Sequence, residues 1–371
     1  MVKNLVQVIY IGLFFALGVA LIIVPFTGLI LITDPLLFFR TTASNNQPFF
    51  NHEPEGNFSR FVFPGLISNL PYDTLWVGPS YAAPFARGAD PFRELIVTMG
   101  NMSAAEQLDI LMMEQHLHKA KTVNIILSPA HFTKGFAPGI EATFPKDLWG
   151  PYRVFRYLIS PVAFRLALEE IHKSSLFTAR RELNSRNLRI QINSAYFWMF
   201  DDTMQIKKYW KDYGQYQFTI DSIHQLRKVL SEQKNSEIKI LTSQEKELIN
   251  NFCEGIASLS KTACVNIIFP PRYIAAFGVP IEDFNKVLEI KRQILLRTSN
   301  MKKVVQYDYE TDPRFCFDRA KFYDLGHFSE APVKLLRLEI NNRHGHKENM
   351  DAAFSWFLTL SDDELLKKYF Q

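Results

Sequence analysis

From Leu5 to Ile32 no residue is charged, and nothing else in the sequence limits the fold so strongly. A bilayer core about 30 Å thick needs only ~20 apolar residues in a helix, so this stretch is long enough to cross one. A cleavable signal peptide has a shorter apolar region that ends in small residues, whereas the exit here reads ILITDPLLFF. The reading is an uncleaved transmembrane anchor over residues 1–33, with Pro25 as its kink point. Lys3 precedes the span and Asp34 follows it, so the expected topology is a cytoplasmic start with the body outside. That predicts a single pass through the inner (cytoplasmic) membrane and a periplasmic main domain.

Beyond the anchor the chain has a globular composition, with 47% hydrophobic and 22% charged residues among 371. Lys and Arg number 42 against 38 Asp and Glu, too even a balance for a nucleic-acid partner. The three cysteines, Cys253, Cys264 and Cys316, form no CxxC, so neither zinc nor a disulfide framework is indicated. A Cys253–Cys316 bridge stays open for an oxidising compartment. His116 and His118 stand two apart on a helix and point in different directions, and the polar loop of His344 and His346 has no acidic or cysteine ligand cluster, so no metal is assigned. No P-loop and no GxGxxG occurs, and no cofactor is expected.

Residues 34–70 mix Asn, Pro, Gly and Phe without periodicity and read as an extended connector. The domain is expected over 71–371. Short apolar runs recur there at Thr74–Val77, Leu95–Val97, Val123–Leu127, Val265–Phe269 and Val304–Tyr307, each closed by polar residues, Pro or Gly. Helical patterns separate several of them, so the fold class is α/β, a doubly wound parallel sheet with helices on both faces. The clearest helix starts at the capping box Ser103–Glu106. Between the third and fourth runs the chain is far longer than one crossover requires, which predicts a large helical insertion at about 132–262. It holds a helical stretch, Pro161–Ser174, and an aromatic-rich run from Ala195 to Phe218 suited to a lid, a docking surface or a small core of its own.

Open α/β sheets bind ligands at the carboxyl ends of their strands. After the first run comes Gly78-Pro79-Ser80, a turn that lifts a hydroxyl to the top of the sheet. After the second comes Gly100-Asn101, just before the capped helix, where backbone N–H groups are free to face an oxyanion. Near the carboxyl end stands Asp324-Leu325-Gly326-His327, followed by a helix that Ser329 can cap and Pro332 can enter in its first turn. A serine hydroxyl needs an imidazole to take its proton, and the imidazole needs a carboxylate to fix its tautomer. Ser80, His327 and Asp324 can fill those roles.

These blocks resemble the SGNH (GDSL-like) hydrolase superfamily, and within it the membrane-anchored bacterial members related to alginate and teichoic-acid modification proteins. YDTLWVGPSYAAPF is similar to their nucleophile block, ELIVTMGNMSAAEQ to their glycine block, and FYDLGHFSEAPVKLL to their terminal D-x-x-H block. VNIILSPAHF and VNIIFPPRY resemble their later core strands. The resemblance covers roughly residues 70–130 and 263–340 and leaves the insertion out. It implies a three-layer α/β/α, flavodoxin-like fold and a Ser-His-Asp mechanism through an acyl-enzyme, with Ser80 and Gly100 in the oxyanion hole. Two departures stand out. Pro79 replaces the Asp of the name-giving pattern, and the third block's G-x-N-D is absent, leaving Asn101 and His131 as substitute oxyanion donors. The expected activity is an extracytoplasmic esterase or O-acyltransferase acting on an acylated, most plausibly acetylated, cell-envelope glycan, with the membrane and envelope proteins as partners. The rival expectation is a non-catalytic anchored module that binds glycan or a partner through the aromatic insertion.

Overall fold

A computed structural model of the chain describes residues 2–33, 58–86, 88–90, 93–99, 102–133, 152–161, 163–165, 167–168, 224, 228, 241–272, 284–312, 314–316, 321–322, 327–342, 345 and 361. The chain divides into two compact units, Met1–Leu70 with Phe144–Leu188, and Pro71–Thr143 with Arg189–Gln371.

In the first unit, helix α1 (Val2–Thr33) runs unbroken through Pro25. It is the one helix among the described residues long and apolar enough to cross a membrane, and its Gly12–Leu31 window is almost wholly exposed. A soluble core helix would be buried instead. Thr27, its polar residue near the exit, returns its hydroxyl to the Ile23 carbonyl at 2.8 Å, so it presents no unmet donor. The stretch expected as an extended connector differs from that reading, because Phe58–Asn69 is helical (α2). Its Phe63, Leu66 and Ile67 are buried, as is Leu70 just after it, and burying that apolar face outweighs the interruption by Pro64. Helix α4 (Arg153–Leu158) belongs to this unit and packs on α1.

The second unit is an α/β fold. Five strands, β1 (Thr74–Pro79), β2 (Glu94–Met99), β3 (Thr122–Ile126), β4 (Cys264–Phe269) and β5 (Val304–Asp308), form one parallel sheet in the order β2-β1-β3-β4-β5. All five coincide with the expected apolar runs to within a few residues. Trp76, Ile96, Ile126, Ile268 and Tyr307 point to one face, where they pack with the 3-10 helix Ser80–Ala86 and with α7 (Glu330–Asn342). The alternate residues, Leu75, Val97, Val123, Ile125, Val265 and Ile267, are buried as well, as expected of a sheet covered on both sides. Helices α3 (Ala104–Leu117), α5 (Ser243–Leu259) and α6 (Phe284–Thr298) lie side by side, and α3 and α5 also contact strands β1 and β4.

Helix α3 begins as its capping box dictates: Glu106 N–H donates to Ser103 Oγ, and Ser103 N–H donates to the Glu106 carboxylate at 2.8 Å. Thr242 and Glu245 repeat the arrangement at the start of α5. Helix α5 packs on α3 and contacts β4, beside the sheet. The aromatic run 195–218 lies outside the described residues. The bridge left open by the sequence does not form: Cys253 and Cys316 are buried as thiols, and Cys264 is a thiol as well.

Strand order reverses between β1 and β3, which places the usual ligand crevice of such a sheet at their carboxyl ends. Gly78 allows the close packing there. A Cβ on it would stand 2.6 Å from the Ile126 Cβ, 3.0 Å from the Ile126 carbonyl oxygen and 3.1 Å from the Ala82 Cβ.

Candidate functional site

Ser80 is the first residue after β1 and opens the 3-10 helix. The peptide before it is fixed from both neighbouring strands. Thr98 of β2 donates its hydroxyl to the Pro79 carbonyl at 2.8 Å, and Ile126 of β3 packs against Gly78. Backbone held this way at a switch point carries its next side chain up from the sheet at a defined angle, on a rigid element.

His327 arrives from the far end of the chain. Phe322 and Phe328 flank it as an isolated antiparallel bridge, and Ser329 N–H donates to the Lys321 carbonyl at 2.6 Å. Both phenylalanines are buried, and Phe328 meets Phe85 of the 3-10 helix edge to face at 5.6 Å. The residue after the histidine is therefore packed into the element that carries the serine. Helix α7 is secured by Arg337, which donates to the Phe85 carbonyl at 2.5 Å and to both oxygens of Glu94, at 2.5 and 2.7 Å. Trp76 Nε1–H donates to the same carboxylate at 2.7 Å, and the guanidinium lies 5.0 Å over the Trp76 ring. This clamp joins α7, the 3-10 helix, β1 and β2.

The result is a contact across almost the whole sequence: His327 Nε2 lies 2.7 Å from Ser80 Oγ, with both residues half-buried. In the neutral tautomer with its proton on Nδ1, Nε2 is an acceptor and the serine hydroxyl donates to it. That is the geometry a general base needs to deprotonate an attacking hydroxyl.

Tyr81 links this pair to its surroundings. Its ring centroid is 5.2 Å from that of His327 and 6.3 Å from that of His131, and the Arg272 guanidinium sits 5.8 Å over it. Arg272 also donates to Ser128 Oγ at 2.5 Å and pairs with Glu310 at 3.0 Å. Lys291 bridges Asp308 at 2.7 Å and Glu310 at 2.9 Å, so two cations and two carboxylates balance at the ends of β4 and β5. Burial would raise the Glu310 carboxyl, but Lys291 and Arg272 outweigh it and hold the group below its ordinary range. For Asp308 burial prevails over Lys291, and the carboxyl is raised.

No family model, curated protein or solved structure matches the chain. The chemistry is therefore read from the geometry itself.

Of the residues named from the sequence, Ser80 and His327 come together, while Asp324, Gly100 and Asn101 lie outside the described residues. His131 sits in a 3-10 turn (Pro129–Phe132) after β3, buried, its pKa lowered to about 3 by burial first and by Arg272 second. A hydrogen bond with the Met102 backbone opposes that shift. Tyr81, Arg272, Phe328 and Arg337 were not singled out from the sequence. Only Tyr81 and Phe328 carried a signal, as neighbours of the serine and the histidine.

Proposed function

We propose that the chain is a membrane-anchored serine esterase or O-acyltransferase whose main domain works outside the cytoplasm on acyl groups of a cell-envelope glycan. The observation that carries the reading is the 2.7 Å contact between Ser80 Oγ and His327 Nε2 at the carboxyl end of β1. The anchor helix and the resemblance of the nucleophile and D-x-x-H blocks support the envelope setting.

In this reading Ser80 Oγ attacks the acyl carbonyl carbon as His327 Nε2 takes its proton. The C–O bond to the glycan then breaks, and the proton passes from His327 to the departing oxygen, leaving the acyl group on Ser80. Water or an acceptor hydroxyl gives its proton to His327 and attacks the acyl-enzyme, and collapse returns that proton to Ser80 Oγ. Asp324 holds the proton on His327 Nδ1 in this scheme, and the backbone N–H groups of Ser80 and Gly100 face the developing oxyanion. An acceptor hydroxyl in place of water makes the enzyme a transferase; the first half-reaction is common to both.

Turnover of p-nitrophenyl acetate by the purified full-length protein tests this reading. Ser80→Ala and His327→Ala should each lower kcat by at least about 10³-fold, with similar losses because the two groups act as a unit. Turnover that survives either change counts against it.

A further inference from the structure

We infer that the segment around α4 is a membrane-interface element, its exposed apolar side chains and arginines seated in the headgroup and upper acyl region of a phospholipid bilayer beside α1. The inference rests on reading α1 as a membrane span.

Within the first unit, Tyr157, Ala163 and Ala167 are fully buried, and small residues let helices approach closely, as they do in membranes. The other side of the segment carries large exposed apolar side chains. Tyr152 is 68% exposed, Phe155 63% and Leu168 47%, with Val154 and Ile159 partly exposed as well. Arg156 and Arg165 are exposed among them. Exposed aromatic and aliphatic side chains beside arginines are the composition of a segment that lies in a membrane interface.

What identifies the occupant is a contact with the span. Phe164 stacks on Phe26 of α1, with ring centroids 4.1 Å apart and planes inclined by 17°. Phe26 lies five residues before Leu31, the end of the apolar window. At 1.5 Å per helical residue that is roughly 7–8 Å inside the end of the span. Phe164 must share that depth, which falls within the ~5–10 Å to which interfacial helices bury their apolar faces. A side chain there meets acyl chains rather than water, so the neighbouring exposed Phe155 and Leu168 are covered by lipid. The arginine stems are apolar enough to lie at that depth while their charged heads reach the headgroup layer.

The test uses the full-length protein in vesicles of phosphatidylethanolamine and phosphatidylglycerol, with a genetically encoded fluorescent amino acid replacing Phe155 or, separately, Leu21. Lipids carrying a nitroxide high on the acyl chain or deep in it act as quenchers. At position 21, mid-span, the deep label should quench more. At position 155 the shallow label should quench more, by at least about twofold. Deep quenching at 21 with no lipid quenching at 155 would overturn this inference and leave the anchor intact. Absence of quenching at both positions would overturn the anchor and the inference with it.

Discussion

His131 shows how much one side chain can record about its surroundings. Burial, aided by the nearby Arg272 charge, holds its pKa at about 3, against about 6.5 for a free imidazole. Between those values the unfolded chain binds a proton that the folded chain refuses, so stability rises with pH across that window. The contribution is complete above about pH 6.5 and is lost as the pH falls towards 3. Denaturant midpoints followed from pH 7 to pH 4 should therefore decline, and His131→Gln should remove on the order of a few kcal/mol of that decline. Parallel curves for the two proteins would show that the histidine is not buried neutral. The same pattern of burial keeps Cys253 unreactive, its thiol pushed up to about 11.

At the scale of elements, local signals were legible and tertiary ones were not. The five strands could be read because parallel strands buried on both faces leave continuous β-branched runs, and α3 because a capping box is a local hydrogen-bond pattern. The order of serine, glycine and D-x-x-H blocks likewise pointed to strand ends. What the sequence did not disclose is how His327 is held opposite Ser80. Arg337 stands far along the chain from Phe85 and Glu94, and no periodicity or motif announces a guanidinium that joins two helices to a strand. The same is true of Asn124 and Asn266, which sit in register on β3 and β4 inside two apolar VNII runs and share a 2.7 Å hydrogen bond. Helix α2 escaped notice because an internal proline and low periodicity resemble a connector until its buried face is seen. If the Arg337 clamp positions His327 as the proposed base, Arg337→Ala should lower stability by about 2–4 kcal/mol through the unpaired Glu94. It should also depress kcat for the acetyl ester by more than KM rises, measured below the melting range. Arg337→Lys should restore part of the stability but not the bidentate geometry. A variant with lowered stability and unchanged kcat would leave the clamp a purely structural device.

At the scale of the whole molecule, one chain carries an apolar helix fit to cross a bilayer and an α/β unit with a serine and an imidazole in contact at its switch point. The two compact units divide these tasks, one holding the span and α4, the other the sheet and the site. A fluorophosphonate is the most direct test, because it bonds only to an activated hydroxyl. Full-length protein in native membranes, treated with the reagent, digested and analysed by mass spectrometry, should carry the phosphonyl group on the peptide containing Ser80. The adduct should vanish in Ser80→Ala and form at least about 10³-fold more slowly in His327→Ala. A folded protein that acquires no adduct at Ser80, or acquires it at the same rate without His327, contradicts the central claim.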